Sequence, residues 1–294
     1  MGVILLATRS LFHALHYAEA SAERILEHSR FFSHSKFVTL SDHASNLSCL
    51  ESGSLLVLLC TYNEKENLAR LIPAIFEQTP TADLLVVDDG SPDGTADFVR
   101  KLAADDSRIT LIERSGKLGL GSAVIAGFRY AIQHSYTYLL TLDADLSHPP
   151  RYVPDMLALR EEADIVIGSR YVPGGGIQGW GPKRKFMSWG INFYSRLLLG
   201  LPNRDNSGNF RCYRVARLAE LDLERVRSSG YAFMEEILFR CKRLGCRFRE
   251  TPIVFEDRQI GESKINKTEV VKALWILFRL FLDRLLRVPV RKQD

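Results

Sequence analysis

The chain has 294 residues, of which 46% are hydrophobic and 25% are charged. These proportions are typical of a folded globular protein and exclude a disordered or fibrous chain. The net charge of +4 is small, but residues 183 to 217 contain eight lysines and arginines and a single acid, Asp205. This imbalance favours an anionic partner, which could be nucleic acid, a phosphorylated small molecule or an acidic lipid headgroup. A solvated basic surface is equally consistent with it.

Residues 1–53 stand apart from the rest of the pattern. A helical periodicity over Leu11–Leu26 is followed by a Ser/His-rich run without a clear period, so we expect an N-terminal extension that is either helical or disordered. The apolar stretch Val3–Ala7 is too short for a secretory signal. The five cysteines are scattered and lack the paired CxxC spacing of a disulfide framework or a zinc site. We therefore expect a protein that faces the reducing cytoplasm.

From Leu55 onward, short apolar runs alternate with helical segments. In chain order we predict strand Leu55–Cys60, helix Glu66–Gln78, strand Asp83–Val87, helix Thr95–Ala104, strand Ile109–Glu113, helix Gly119–His134, strand Tyr138–Leu142, helix Tyr152–Glu161 and strand Ile165–Ile167. Repeated βαβ units of this kind predict a doubly wound α/β domain, with a parallel sheet covered on both faces. We place this domain over residues 54–268.

The C-terminal residues 269–294 form the last segment. From Glu269 to Val290 the sequence is apolar but carries central charges such as Asp283 and Arg284, which disfavour a membrane span. On a helix, the apolar side chains would cover one broad face with basic residues at its edges. We predict an amphipathic helix that lies at a membrane interface or, with equal weight, packs on the core or on a partner.

Polar residues follow three of the predicted strands at the point where each strand ends. Thr61 to Glu64 follow the first strand, Asp88 to Ser91 the second, and Asp143 to Asp145 the fourth. Ligands of a doubly wound sheet bind outside the carboxyl ends of its strands. We therefore expect these three clusters to line a single crevice.

Asp143 and Asp145 are the candidate metal ligands. They flank Ala144 directly after an apolar strand, and residues i and i+2 of an extended chain point to the same side. Two converging carboxylates suit Mg²⁺ or Mn²⁺, which prefer oxygen ligands and bridge to phosphate. The alternative for any isolated Asp-x-Asp is a solvated turn or a helix cap.

The cluster after the second predicted strand combines a turn with a candidate ligand site. Pro92 and Gly94 are turn residues, and Asp93 and Thr95 are placed to cap the following helix. The adjacent Asp88 and Asp89 favour a ligand role, because two carboxylates side by side at a strand end are costly without a partner. Asp89 could accept hydrogen bonds from a base or a ribose.

Taken together, these motifs resemble the dolichol-phosphate (polyprenol-phosphate) mannose synthase branch of the family 2 glycosyltransferases. The resemblance covers residues 55–268 and rests on five blocks: Thr61–Glu64, Asp88–Thr95, Asp143–Pro150, Gly168–Tyr171 and Gly261–Lys264. It implies a GT-A fold (Rossmann-like, as in nucleotide-diphospho-sugar transferases), a nucleoside-diphosphate sugar donor, Mg²⁺ or Mn²⁺, and a polyprenyl phosphate acceptor at the membrane surface.

The resemblance also implies roles for individual residues. The nucleotide would be held by Tyr62, Glu64, Val87, Asp89, Asp143, Ala144 and Asp145, with Arg258 and Lys264 closing over the diphosphate as a lid. The metal ligands would be Asp143, Asp145 and Ser147, the last standing where relatives can have glutamine and acting through a bridging water. The acceptor phosphate would be bound by Arg170, Arg184 and Ser188. Asp145 and Arg170 would be catalytic, and Glu235 and Glu236 either line the sugar pocket or lie on a solvated helix face.

The expected reaction is an inverting transfer of mannose from GDP-mannose to polyprenyl phosphate. Two alternatives stay open: a glucosyltransferase of the same branch that uses UDP-glucose, and a non-catalytic module that binds nucleotide sugars or acidic lipids. Nucleic acid is not expected as a partner, since no aromatic residues are interleaved with the basic patch as a stacking platform. Access to the lipid would come from peripheral binding to the membrane surface or from a membrane-protein partner.

Overall fold

The computed structural model describes residues 53–226, 228, 230, 232–257 and 267–286, with side chains from 273 onward in the last range. The predicted N-terminal extension, apart from its last residue, lies outside the described residues, as do Arg258 and Lys264.

The described residues form strands and helices in alternation. The strands are β1 Leu55–Thr61, β2 Asp83–Asp88, β3 Ile109–Glu113, β4 Tyr138–Asp143, β5 Ile165–Ser169, β6 Gly176–Gln178, β7 Arg211–Arg214, β8 Phe248–Pro252 and β9 Val254–Glu256. The helices are α1 Lys65–Gln78, α2 Thr95–Asp105, α3 Leu120–Gln133, α4 Val153–Ala158, α5 Pro182–Leu199, α6 Val215–Ala219, α7 Phe233–Arg243 and α8 Lys267–Leu285.

Seven of the strands form one sheet in the order β3-β2-β1-β4-β7-β5-β8, and β6 pairs with β9 in a small parallel ribbon. The strands β1 to β4 are parallel to one another where they pair, as predicted. The sheet differs from the prediction at β7, which runs antiparallel to both β4 and β5. Its sequence Arg-Cys-Tyr-Arg lacks the apolar run by which buried strands are identified, because its first arginine is buried by hydrogen bonds rather than by apolar character.

The helix predicted over Tyr152–Glu161 is shorter in the structure. A 3-10 turn covers Pro150–Tyr152, and α4 then extends only from Val153 to Ala158. Proline is tolerated in the first turn of a helix because its missing N–H would have no intrahelical partner there. Pro150 and Pro154 each lie in the first turn of a helical segment, the 3-10 turn and α4 respectively, and the regular helix ends at Ala158.

The core lies between the sheet and the helices on its faces, and α3 packs closely on β1. A Cβ added at Gly127 of α3 would lie 2.3 Å from Leu58 Cδ2 in β1, and Leu58 is fully buried. Glycine lets the helix backbone come this near to the strand. The N-terminus of α3 lies next to the end of β2, because Asp89 Oδ2 accepts the Gly119 N–H at 3.2 Å.

Helices α5 and α8 lie against each other. The Arg284 Nη1 atom of α8 donates hydrogen bonds to the carbonyl oxygens of Leu197 and Leu198 in α5, at 3.2 and 2.7 Å. In α8, Leu277 and Leu280 are buried whereas Trp275 is exposed, so one edge of this helix packs on the protein and the other faces solvent. Among the described helices, none combines the length and the apolar character needed to cross a bilayer.

Candidate active site

The three polar clusters predicted to share a crevice lie together at the carboxyl ends of the neighbouring strands β2, β1 and β4. In the strand register, Thr61 of β1 pairs with Asp88 of β2, and Cys60 of β1 pairs with Asp143 of β4. Neighbouring strands are about 4.8 Å apart, so these strand ends form one continuous row. The prediction of a common crevice agrees with this register.

Asp88 is held inside the protein rather than presented to a ligand. The residue is fully buried, and its carboxylate accepts hydrogen bonds from Thr61 Oγ1 at 2.8 Å, Ser91 N at 2.9 Å and Ser91 Oγ at 2.6 Å. These bonds tie the turn after β2 to the end of β1. They give the Asp88 carboxylate a structural role, in contrast to the ligand role expected from the sequence.

Asp89 is also well supplied with protein partners. Its Oδ2 atom accepts the backbone N–H groups of Leu118 and Gly119 at 3.1 and 3.2 Å. The Arg114 Nη1 atom lies 3.2 Å from Asp89 Oδ1. Asp89 thereby joins the end of β2 to the loop between β3 and α3, and it fixes the path of that loop.

The other residues predicted to hold the nucleoside lie after β1 or at the end of β2, close in the strand order to Asp89. Tyr62 is partly exposed after β1, and the Lys117 Nζ atom lies 4.3 Å from the centre of its ring. Val87 is buried at the end of β2. Glu64 accepts a hydrogen bond from Asn67 Nδ2 at 2.6 Å, which fixes its side chain at the start of α1.

Asp143 and Asp145 lie at the end of β4 with different exposure. The side chain of Asp143 is 35% exposed, and its Oδ1 atom accepts a hydrogen bond from Asn209 Nδ2 at 3.0 Å. Asp145 is 8% exposed, and its Oδ1 atom accepts Ser147 N at 3.1 Å and Ser147 Oγ at 2.5 Å. Between them, Leu146 has a φ of +64°, a left-handed turn that folds Ser147 back onto Asp145.

This arrangement fits a divalent metal ion. No group of three His, Cys, Asp or Glu side chains in the described part of the chain is arranged to bind a metal by protein atoms alone. Mg²⁺ in phosphate-transfer sites is commonly held by one or two carboxylates together with substrate phosphates and water. Asp143 and Asp145 supply that number of carboxylates, and the partial exposure of Asp143 leaves it accessible to an ion. Ser147 contacts Asp145 directly, so it orients one of the two carboxylates.

His148, for which no role was predicted, supports the carboxylate pair Asp143/Asp145. The Asp143 N–H donates to His148 Nδ1 at 3.1 Å, so this ring nitrogen carries no proton. Burial lowers the pKa of His148, which keeps the ring neutral near pH 7. The ring lies 5.2 Å from that of Phe210 and 5.4 Å from that of Phe255. The histidine thus orients the end of β4 without adding charge.

Arg170 is held by the buried carboxylate of Asp205, the single acid of the basic stretch 183–217. Its Nε and Nη2 atoms each donate to Asp205 at 2.7 Å, and Nη2 also donates to Ser207 Oγ at 2.9 Å. Burial alone would lower the pKa of Arg170, but the charge of Asp205 outweighs burial and raises this pKa. The guanidinium is therefore charged and fixed in orientation.

Arg184 and Ser188 reach the surroundings of Arg170 through aromatic side chains. The Arg184 guanidinium lies 4.0 Å from the ring centre of Trp180, and the Arg170 guanidinium lies 5.7 Å from the same ring. The Tyr171 hydroxyl donates to Ser188 Oγ at 2.7 Å. An open cleft of about 360 Å³ borders this cluster, lined by Arg170, Tyr171, Ile177, Lys185, Phe186 and Trp189.

The ring of Phe255 lies between Arg170 and His148, the residue that contacts Asp143. It lies 5.6 Å from the Arg170 guanidinium and 5.4 Å from the ring of His148, which in turn contacts Asp143. The structure therefore brings the predicted metal ligands and the predicted phosphate-binding arginine to neighbouring positions.

Residues 56–221 match the family model described as "Glycosyl transferase family 2". The chain is 43% identical over 212 residues to an "Undecaprenyl-phosphate mannosyltransferase" of Micrococcus luteus, covering 72% of this chain and 87% of the relative. It is 40% identical over 222 residues to a "Polyprenol monophosphomannose synthase" of Mycolicibacterium smegmatis, covering 75% and 84%.

Solved structures match as well. Glucosyl-3-phosphoglycerate synthase from Mycobacterium tuberculosis, solved with Mg²⁺ and UDP, has a TM-score of 0.56 at 18% identity, covering 82% of each chain. A mannosyltransferase from Pyrobaculum calidifontis, solved with GDP-Man and Mn²⁺, has a TM-score of 0.50 at 18% identity, covering 81% of this chain and 65% of the other. At this identity the likeness concerns the fold, and the predicted GT-A fold is confirmed.

Proposed function

The chain belongs to glycosyl transferase family 2, in the branch that contains the polyprenol-phosphate mannose synthases, and we propose that it transfers mannose from GDP-mannose to a polyprenyl phosphate. The observation that carries this proposal is the juxtaposition of the Asp143/Asp145 pair with the fixed guanidinium of Arg170, bridged by Phe255. An acidic pair suits the metal and diphosphate of a sugar donor, and a fixed arginine suits an anionic acceptor.

The proposed chemistry is mainly electrostatic. A bound Mg²⁺ or Mn²⁺, held by Asp143 and Asp145, would neutralise charge on the leaving nucleoside diphosphate. Arg170 and Arg184 would bind the acceptor phosphate and hold its oxygen in line with the sugar carbon. A phosphate monoester is already largely ionised near pH 7, so no strong general base is required. A single direct displacement inverts the anomeric carbon, and an α-linked donor would give a β-linked product.

The donor and the metal can be tested together. Purified protein would be incubated with polyprenyl phosphate and either GDP-mannose or UDP-glucose, with Mn²⁺, Mg²⁺ or a chelator, and the lipid product would be analysed by NMR for its anomeric configuration. We expect a β-mannosyl lipid that forms only with GDP-mannose and a metal. Transfer from UDP-glucose alone would replace mannose by glucose in the proposal, and a retained α configuration would contradict single displacement.

Asp145 provides the matched test of catalysis against mere binding. Asp145→Asn keeps an oxygen that can accept from Ser147 but removes the charge that would hold the metal, so we expect turnover to be lost while the thermal midpoint changes little. Asp145→Ala tests the same point without the acceptor. Asp105→Ala serves as the control, since Asp105 is exposed at the end of α2. Full turnover in both Asp145 variants would refute the metal assignment, and a wild-type chain that binds donor without turnover would be a binding module.

The surface formed by α5 and α8 supports peripheral binding to a membrane. Of the exposed large hydrophobic side chains in the described residues, all but Leu118 and Leu120 lie on these two helices or directly after α8. In α5, stacked aromatic rings run along the exposed face, with ring centres 6.0 Å apart for Phe186 and Trp189 and 5.5 Å apart for Trp189 and Phe193. Aromatic and basic residues on one face are typical of helices that lie in a bilayer interface. We propose that this face rests on the membrane and brings the cleft beside Arg170 to the lipid acceptor.

A further inference from the structure

The loop between β3 and α3 covers the place where the donor nucleoside is expected. Its exposed residue Lys117 holds its Nζ atom 4.3 Å from the centre of the Tyr62 ring. Within the described residues, Lys117 has no carboxylate at ion-pair distance. An ammonium placed over an aromatic face, with no acidic partner, retains its capacity to bind an anion or a hydrogen-bond acceptor.

The loop is fixed rather than left to solvent. Asp89 Oδ2 accepts the N–H groups of Leu118 and Gly119, the two residues that follow Lys117. Arg114, just before the loop, pairs with Asp89 Oδ1 and donates to Ser122 Oγ at 2.6 Å. Gly119 has a φ of +96°, a conformation that side-chain-bearing residues rarely adopt. These contacts hold the backbone on either side of Lys117 and so direct its side chain towards Tyr62.

Two leucines near Lys117 add exposed apolar surface where the loop meets α3. Leu118 is 57% exposed and Leu120 is 40% exposed, and they are the exposed large hydrophobic residues of the described chain that are not part of the α5 and α8 surface. A nucleobase presents apolar faces and polar edges. The Tyr62 ring and the exposed Leu118 suit its faces, and the Lys117 ammonium suits its polar edge.

We propose that Lys117 is a nucleotide-binding residue, whose ammonium donates a hydrogen bond to the nucleoside part of the donor in a space bordered by Tyr62 and Leu118. The contacts of the loop favour the nucleoside over the diphosphate. The loop is anchored on Asp89 and holds the Lys117 ammonium over the Tyr62 ring. Both of these residues are predicted to hold the nucleoside. This inference rests on the proposed function, because it takes a nucleoside-diphosphate sugar as the donor.

Calorimetric titration of GDP in the presence of Mn²⁺ tests the proposal on the full-length chain. Lys117→Met preserves the length of the side chain and removes its charge, and we expect GDP to bind about tenfold more weakly, the effect of one hydrogen bond from a charged donor. Lys101→Met is the matched control, since Lys101 is an exposed lysine of α2, and it should bind GDP within about twofold of wild type. Lys117→Arg retains a charged donor and should recover part of the loss.

Two further measurements locate the contact. Titration with GMP, which lacks the second phosphate, should show the same loss in Lys117→Met as titration with GDP. In steady-state kinetics, KM for the donor should rise by the factor seen in binding while kcat is maintained, as expected for a residue that contributes equally in the ground state and the transition state. A loss seen with GDP and absent with GMP would place the contact on the second phosphate and overturn the inference.

The outcomes for this inference and for the proposed function are distinct. If wild type binds GDP and Lys117→Met binds it within twofold, the lysine contributes only its contact with Tyr62 and the inference fails while the proposed function is unaffected. If wild type binds neither GDP nor UDP, the proposed function itself fails. If it binds UDP in place of GDP, the same variants are titrated with UDP and UMP, with the same expectations.

Discussion

The buried ion pair between Arg170 and Asp205 offers a direct test of how this site is held together. Asp205 has no exposed surface, and the Arg170 side chain is 6% exposed. The Asp205 carboxylate accepts Arg170 N at 3.0 Å and two guanidinium N–H groups at 2.7 Å. Asp205→Asn would keep the shape of the side chain and one acceptor oxygen, but would leave the guanidinium charge buried without its counter-charge.

Removal of one partner from a buried ion pair typically costs about 3–5 kcal/mol, because the remaining charge is desolvated without compensation. The retained amide oxygen of the asparagine preserves one hydrogen bond, so we expect Asp205→Asn to lower the free energy of unfolding by about 3 kcal/mol, measured by urea denaturation at pH 7.5. Turnover should fall as well, since Arg170 would lose its fixed orientation.

The pH dependence gives a second, independent measurement. Burial alone would raise the pKa of Asp205, but the charge and hydrogen bonds of Arg170 outweigh burial and lower this pKa. A carboxylate with a lowered pKa stabilises the fold above its unfolded pKa, and that stabilisation is lost as the pH falls through the folded value. The difference between wild type and Asp205→Asn should therefore be constant above about pH 5 and shrink below about pH 4, near the unfolded pKa of aspartate.

Glu162→Gln is the control for this test. Glu162 pairs with Arg249 at 3.3 Å, but both side chains are more than half exposed, so water replaces the pair and stability should hardly change. If Asp205→Asn unfolds at the same urea concentration as Glu162→Gln, the ion pair does not stabilise the site and the reasoning is wrong.

Three further outcomes follow from single residues. Burial raises the pKa of Glu235 to about 7. Between about pH 4 and 7 the folded chain therefore keeps a proton that the unfolded chain has lost, and the free energy of unfolding falls as the pH rises. Glu235→Gln should raise the free energy of unfolding by about 3 kcal/mol at pH 8 and about 1 kcal/mol at pH 5, and equal gains at the two pH values would contradict this. Gly127→Ala would place a Cβ 2.3 Å from Leu58 and should destabilise by about 1–3 kcal/mol in urea denaturation, whereas Gly190→Ala, with nothing within 4 Å, should not. Trp189→Ser removes an exposed ring of α5 and should reduce flotation with anionic vesicles; unchanged flotation would exclude this face from membrane binding.

The strands and the shared crevice could be predicted because both depend on local signals. Apolar runs such as that of β1 identify buried strands, and the alternation with helices identifies parallel pairing, which puts strand ends together. The start of α2 was readable only in part. Asp93 Oδ1 accepts Thr95 N at 2.9 Å, a contact between neighbours in sequence. The N-cap is Gly94, however, and Thr95 is the first residue of the helix rather than its cap.

The partners that orient the site could not be predicted, because they come from distant parts of the chain. Asn209 reaches Asp143 across 66 positions, and Asp205 reaches Arg170 across 35. Each depends on β7, whose antiparallel insertion between β4 and β5 has no apolar signature. Arg211, the first residue of that strand, is fully buried and donates to the carbonyl oxygens of Met234 and Asn206 at 2.9 and 2.6 Å. A charged residue buried by backbone acceptors looks, in the sequence alone, like a surface residue.

Asp89, which the sequence predicts to bind the nucleoside, is also engaged by partners within the chain. Its position after β2 marked it as a nucleoside acceptor, yet its Oδ2 atom accepts two N–H groups of the chain and its Oδ1 atom is buried beside Arg114. A carboxylate so engaged would have to exchange protein donors for ligand donors in order to bind a base directly. It can contribute without that exchange by fixing the loop that carries Lys117 over Tyr62. Loss of Asp89 and loss of Lys117 would then weaken donor binding through the same contact, so their effects in a double variant would be less than additive.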